Sequence, residues 1–368
     1  MPTSTEKPFL LFVSLGYEYG GAETYYVKLA KILVPHFRLL AITCCAGLAK
    51  DLSALGIETV LSAPAMRGAA RYRYAMWEAL KMVARYPVHA VHLNGQPESY
   101  LGLPLKCLGL NVLSTRHTPF TDLFLKEGSR VPIFLKRWMV LLSLHAACSI
   151  FCVSRLIETQ LSKYLPPSRL NFVPTWVTPM FLEDGLQTDT ASTKTGVPFR
   201  LLFVGRVVKN KGIFDLIEAV RGCPGLLLTV AGDGQDMGLV KERSKGLPVE
   251  FVGFQADCRP FYRNADLLVF PSSEGFEGLP QVPLESMAMG LPCLGSDISS
   301  MKEISGEEMC AALYRAGDVE ALRSSIQWLQ HHPEERTRLS KSGLKRVLDI
   351  YQESAIERTY IDTFSKYV

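Results

Sequence analysis

Glu277 and Glu285 stand eight residues apart in EGFEGLPQVPLESMA (residues 274–288), on either side of a Gly-Leu-Pro turn. The residues after the turn predict a helix that opens near Pro280 or Pro283 and stops at Gly290. A helix start offers free N–H groups to an anion, and Gly278 lets a phosphate come close. A carboxylate beside a phosphate site repels it, but a carboxylate accepts paired hydroxyls well. The spacing therefore proposes a nucleotide sugar, with phosphate at the helix start, sugar at Glu277 and ribose at Glu285, which this reading sets about two turns into the helix. The bland alternative is that Glu285 only caps or pairs on its helix.

A second set lies in VGRVVKNKG (residues 204–212). A buried strand delivers Gly205 and Arg206 to its carboxyl end, and Lys209 and Lys211 follow in the loop. Arg206 and Lys211 together suit a diphosphate, the guanidinium binding bidentately and the ammonium acting as a point charge. A solvated basic loop is the competing reading. AGDG (residues 231–234) is a tight turn after another strand and is read as structural.

The elements that must position these groups alternate along the chain. FLLFVSL, RLLAITC, AVHLN, NVLSTRH and SIFCVS are short apolar runs separated by segments of helical spacing, which predicts a parallel α/β sheet. EDGLQTDTASTKTGVP (183–198) is polar and aperiodic and reads as a linker. The alternation restarts with FRLLFVGRV and runs through GLLLTVAGDG, VEFVGF, ADLLVFPS and PCLGSD before a helical tail. The expectation is an α/β protein of two doubly wound Rossmann-like domains, with ligands at the carboxyl ends of the strands in a central cleft. The boundaries are residues 1–182 for the first domain, 183–198 for the linker and 199–353 for the second. The C-terminal helix, 354–368, is expected to pack back on the first domain.

Composition fits this. Of 368 residues 48% are hydrophobic and 21% charged, and the net charge is +4. The first 182 residues carry 19 Lys/Arg against 10 Asp/Glu, and the rest 21 against 26. A basic first half suits an anionic partner. Nine cysteines show no metal-like spacing and no secretory signal is read at the N-terminus, so reduced thiols and no metal site are expected. Trp138–Ser154 lacks Asp, Glu, Lys and Arg, but its end reads as a buried strand, so it splits into helix plus strand rather than spanning a membrane. His89 and His92 flank a strand and are read as packing residues.

In order along the chain, GYEYGGAE, STRHTPF, FCVSRLIETQL, GRVVKNKG, AGDG, FYRNADLLVFPS, EGLPQVPLESMAMGLP and SDISSMKEI make it resemble glycosyltransferase family 4, the group 1 retaining enzymes of GT-B architecture. The resemblance implies that Glu277 contacts the transferred sugar, Glu285 holds the ribose, and Arg206 and Lys211 neutralise the departing diphosphate in place of a metal. It implies further that N–H groups near Gly278 and Leu279 assist and that His117 sits across the cleft near the sugar. Gly20 and Gly21 would form the loop between donor and acceptor, with Glu23 opening the helix. Gly205 would line the diphosphate, and the backbone around Phe254 would face the base. Two departures stand out: PTWVTPMF (174–181) replaces an Asn-Gly-Val-Asp-like turn, and SSEGFEG holds two Glu-Gly pairs, so Glu274 competes with Glu277.

On the acceptor side, RGAARYRYAMWEALKMVARY (67–86) sets Met76, Leu80 and Val83 in an apolar stripe among Arg67, Arg71, Arg73, Lys81 and Arg85. Lys126, Arg130, Lys136, Arg137 and Trp138 follow. Peripheral binding to an anionic cytoplasmic membrane competes with a core-packed helix that has a solvated rim. No nucleic-acid reading motif accompanies these cations. The expected function is a metal-independent, retaining glycosyltransferase. It would need no cofactor and use a UDP- or GDP-sugar as donor. The acceptor would be a glycan or lipid-linked molecule of bacterial surface polysaccharide or lipopolysaccharide. A nucleotide-sugar epimerase and a non-catalytic nucleotide-sugar-binding partner are the alternatives.

Overall fold

The computed structural model describes residues 7–17, 19–62, 69–119, 133–187 and 198–368. They form two compact units: Met1–Pro174 with Ile356–Val368, and Thr175–Ala355. The division falls at Pro174, ahead of the expected boundary at 182. Residues 183–187 are not linker, because the helix Pro179–Gln187 packs within the second unit. A Cβ on Gly185 would come 1.9 Å from the Ala288 carbonyl oxygen, and Asp184 pairs with Arg259 at 3.3 Å. The remainder of the expected linker, 188–197, lies outside the described residues.

The first unit holds one parallel sheet of β1 (Phe9–Ser14), β2 (Arg38–Thr43), β3 (Glu58–Leu61), β4 (Val88–Asn94), β5 (Asn111–Arg116), β6 (Ser149–Cys152) and β7 (Leu170–Phe172). Its order is β3-β2-β1-β4-β5-β6-β7. The second holds β8 (Phe199–Val204), β9 (Leu226–Ala231), β10 (Val249–Gly253), β11 (Leu267–Phe270), β12 (Cys293–Ser296) and β13 (Ala312–Tyr314), in the order β10-β9-β8-β11-β12-β13. Every pairing is parallel. The central strands are the apolar runs the sequence marks, because both of their faces are covered. Strands β3, β7 and β13 were not anticipated; they are short edge strands, without a continuous apolar run.

Strand order reverses between β1 and β4 in one sheet and between β8 and β11 in the other, which opens a crevice at their carboxyl ends. The glycine loops follow β1 and β8. Gly212, after β8, has φ +69° and caps the helix Ile213–Arg221. Its Cα lies so near β11 that a Cβ would come 1.9 Å from the Pro271 carbonyl oxygen.

In the first unit the loop after β1 is held by side chains. Glu98 accepts from the Leu15 N–H, and Arg71 donates to the Leu15 carbonyl at 3.2 Å. Glu98 is fully buried, and burial raises its carboxyl to about 7. Glu23 adds to the rise and Arg71 opposes it. Beneath the loop, His92 bonds Tyr26 at 3.1 Å and Thr115 at 2.8 Å, so it is a packing residue as read. Burial lowers its imidazole to about 3. The last helix, Glu353–Ser365, seats Tyr360 and Phe364 against Phe151, and the Tyr360 hydroxyl meets that of Tyr25 at 2.8 Å.

Two outcomes are expected. Gly212→Ala combines a left-handed φ with an overlap on backbone, and should cost about 2–4 kcal/mol in denaturant unfolding. For Glu98, the folded chain keeps a proton that the unfolded chain loses, so stability falls as pH rises from the ordinary 4.5 towards 7. Glu98→Gln removes that decline, and its melting temperature should gain on wild type across this window. A constant difference would show that Glu98 does not titrate there.

Candidate active site

The loop after β8 is built by close backbone approach. Gly205 has φ +147° and donates to the Ala231 carbonyl at 3.0 Å, and Val207 donates to the Asp233 carbonyl at 2.9 Å. A Cβ on Gly232 would sit 1.9 Å from the Gly205 carbonyl oxygen, and one on Gly234 would sit 2.4 Å from that of Val207. AGDG is therefore structural as read: it is the support on which the Gly205–Val207 turn rests. Arg206 leaves that turn at the surface.

Lys211 ends the next turn, and its Nζ lies 2.5 Å from Glu277 Oε1. Ser272 Oγ, just after β11, donates to the same oxygen at 3.0 Å. The Lys211 and Glu277 side chains are largely buried, at 21% and 10% exposure, and Phe270 lies 5.8 Å from the ammonium. The Asn210 carbonyl accepts from the Ser273 N–H at 2.9 Å, which ties the two loops together. Glu274 points elsewhere: it is exposed and accepts from Ser299 N–H at 2.8 Å, at the start of the helix Ser299–Ser305.

The helix after Glu277 is Gln281–Ala288, capped by Pro280, with Gly278 and Leu279 buried just before it. Glu285 is thus little more than one turn in, not two, because Gly278–Pro280 stay extended or turned. It is half-buried and accepts from the Tyr262 hydroxyl at 3.0 Å. Tyr262 is buried, and burial with Glu285 beside it holds its phenol well above the usual range. Phe254, which follows β10, is 70% exposed. The sheet order β10-β9-β8-β11 sets Phe254, AGDG, Arg206 and Glu277 on neighbouring strand ends in that sequence. That row can receive an elongated ligand with an apolar end, an anionic middle and a hydroxyl-bearing end.

His117, Gly20 and Gly21 belong to the first unit. Gly20 caps the helix Gly21–Leu33, and its N–H donates to Glu23 Oε2 at 3.0 Å. Asn94 Nδ2 donates to the Ala22 carbonyl at 3.0 Å, which fixes that amide with its oxygen towards His117 Nε2, 2.7 Å away. Nε2 therefore carries the proton, and Nδ1 is the acceptor. Burial, with Arg116 adjoining, lowers the His117 imidazole to about 3, so the ring is neutral at pH 7. Sequence reading passed over Ser272, Asn94, Glu98 and Tyr262, and took Arg71 only as a cation of an amphipathic helix. Asn94 and Ser272 carry a usable signal, since each is a polar residue at the carboxyl end of an apolar strand.

The helix Ala69–Arg85 packs differently from its sequence reading. It buries Ala75, Ala79 and Met82, with Leu80 exposed, so the core face is offset from Met76, Leu80 and Val83. Two of its exposed cations are paired, Lys81 with Glu78 and Arg85 with Glu58 on β3. Arg67, Lys126 and Arg130 lie outside the described residues. The Trp138–Ser154 run splits as expected into the helix Ile133–Ala146 and β6. Among the described residues no helix is long and apolar enough to cross a membrane.

Comparison with known proteins agrees with this geometry. Residues 19–180 match the model of "Glycosyltransferase Family 4", and residues 188–346 that of "Glycosyl transferases group 1". The chain is 30% identical over 165 residues to the lipopolysaccharide core biosynthesis glycosyltransferase LpsE of Rhizobium meliloti, covering 44% of this chain and 48% of LpsE. It therefore spans about half the length of that relative. In fold it is similar to a glycosyltransferase from Rickettsia africae, with TM-score 0.79, 16% identity and 98% of each chain covered. It is also similar to Anabaena Alr3699/HepE, solved with UDP, with TM-score 0.78, 15% identity, and coverage of 98% of this chain and 100% of that one. With both family models matched in series and both sheets of the Rossmann-like type, the chain belongs to the family 4, group 1 glycosyltransferases of GT-B architecture.

Proposed function

We propose that the protein transfers a hexose or hexosamine from a nucleotide-diphosphate sugar to a glycan or lipid-linked acceptor, with retention of configuration and without a metal. The observation that carries this is the Lys211–Glu277 pair at the β8/β11 switch point, in line with Arg206 and the exposed Phe254. The base lies at Phe254 and the ribose at Glu285. The diphosphate lies at Arg206, Lys211 and the N–H groups near Gly278 and Leu279, and the sugar at Glu277. On donor entry Lys211 exchanges part of its contact with Glu277 for phosphate oxygen, which frees the carboxylate for sugar hydroxyls. The relative named for lipopolysaccharide core biosynthesis and the fold relative solved with UDP support this donor and this pathway class.

The chemistry follows from where charge develops. The bond from the anomeric carbon to phosphate oxygen breaks, and its electron pair stays on the nucleoside diphosphate. Arg206 and Lys211 stabilise that charge, Lys211 from a position set by its pair with Glu277. The acceptor oxygen bonds the anomeric carbon on the face the diphosphate leaves, and its proton passes to a departing phosphate oxygen. Neutral His117 is the hydrogen-bond acceptor that positions the sugar. The reaction belongs on the cytoplasmic side, at the membrane surface where a lipid-linked acceptor is held.

A thermal-shift panel of UDP, GDP, ADP and their sugar conjugates tests the donor, since a ligand of the folded state raises the melting temperature. One base should stabilise, unchanged by EDTA and lost in Arg206→Ala. Absence of any shift from folded protein would overturn the donor reading. With the donor known, Glu277→Gln should lower kcat about 100-fold while nucleotide-diphosphate binding persists. Turnover of donor to an epimer without acceptor would replace transfer with epimerisation. Activity should also show no ionisation near 6.5 from His117. A limb there that disappears in His117→Asn would contradict its neutral role.

A further inference from the structure

The helix Ile133–Ala146 presents an apolar face that the described residues leave uncovered. Phe134, Leu135, Trp138, Met139 and Leu142 recur at helical spacing along one side. They are exposed, Phe134 at 67%, Trp138 at 69% and Leu142 at 54%. The opposite side buries Lys136, Val140, Ser143 and Leu144 in the first unit. Five large apolar side chains on one exposed face are unusual for a surface with no partner.

At its C-terminal end this face runs into an open groove of about 500 Å³, and Leu142 lines both. The groove adds Leu103 and three basic groups, Lys106, His145 and Arg169. Arg169 is held by donating to the His145 carbonyl at 2.8 Å, and Lys106 is exposed. Among the described residues that line the groove there is no Asp or Glu. The surface thus joins an apolar stripe to an acid-free basic groove. A protein partner would have to combine a greasy patch with an anionic one at this spacing. A bilayer presents that pair everywhere, as hydrocarbon beneath a layer of phosphates, and interfacial tryptophan is suited to the boundary.

We infer that this face docks on an anionic phospholipid bilayer, with Phe134 and Trp138 entering the interface and the Lys106–His145–Arg169 groove meeting lipid phosphates. This deepens the membrane side of the proposed function and places it on the helix Ile133–Ala146, to which Lys136, Arg137 and Trp138 belong. It rests on that reading for its purpose alone, since docking is measured without sugar transfer.

Flotation with vesicles of phosphatidylcholine alone, or mixed equally with phosphatidylglycerol, tests it. The full chain should float with the mixed vesicles, less so at high salt, and not with phosphatidylcholine alone. The double variant Phe134→Ser/Trp138→Ser should lose about tenfold or more in partitioning at an unchanged melting temperature. Lys106→Glu should weaken binding only to the anionic vesicles. Equal flotation of wild type and the double variant, or none by wild type, overturns the inference. So does self-association in ultracentrifugation that the double variant abolishes while no form binds vesicles, because the face is then a contact between copies. Vesicle binding by a protein that takes up no nucleotide sugar would sink the donor reading and leave the docking surface standing.

Discussion

The contact of Gly212 with the Pro271 carbonyl fixes the geometry on which the Lys211–Glu277 site depends. It presses the loop after β8 onto the loop after β11, across the point where strand order reverses. Only that approach allows Lys211 to reach Glu277 from a strand that neighbours its own. The same device recurs beside it, with Gly232 on Gly205 and Gly234 on Val207. Main chain is stacked on main chain with no side chain between, so the loops have little freedom to shift. Lys211, which emerges from this stack, is held against Glu277 before any ligand arrives, as the proposed electrostatic stabilisation of a leaving diphosphate requires.

The first unit solves the same problem with side chains. Its switch-point loop is gripped at Leu15 by Glu98 from one side and Arg71 from the other. Arg71 also stacks on Tyr17 and donates to Tyr72, so it carries the loop together with the start of its own helix. His117 and Asn94 lie beside that loop, and the amide fixes the imidazole tautomer by holding Ala22 with its other end.

Much of this was legible in the residues. GRVVKNKG and EGFEGLPQVPLE follow buried strands, so their charges had to lie at carboxyl ends, where α/β proteins bind ligands. Glu274 and Glu277 competed in the sequence, with only Glu277 at the family spacing to Glu285, and Glu274 accepts from the Ser299 N–H at the next helix start. The edge strands β3, β7 and β13 escaped notice because each is short and carries little apolar signal. The buried face of the helix Ala69–Arg85 was not legible in its apolar stripe, since its small core residues Ala75 and Ala79 weigh less in a pattern than Met76 or Leu80.

The sequence by itself determined the two doubly wound sheets, the glycine turns and the identities of the charged groups at the strand ends. These depend on local spacing and on runs of apolar residues, which chain order preserves. Tertiary structure alone decided that Lys211 meets Glu277, that Gly185 and Asp184 draw residues 183–187 out of the linker into the second unit, and that Phe134–Leu142 face outward. Each of these joins or parts segments far separated along the chain, and burial, close backbone contact and the resulting shifts at Glu98 and His117 exist only once those segments are packed.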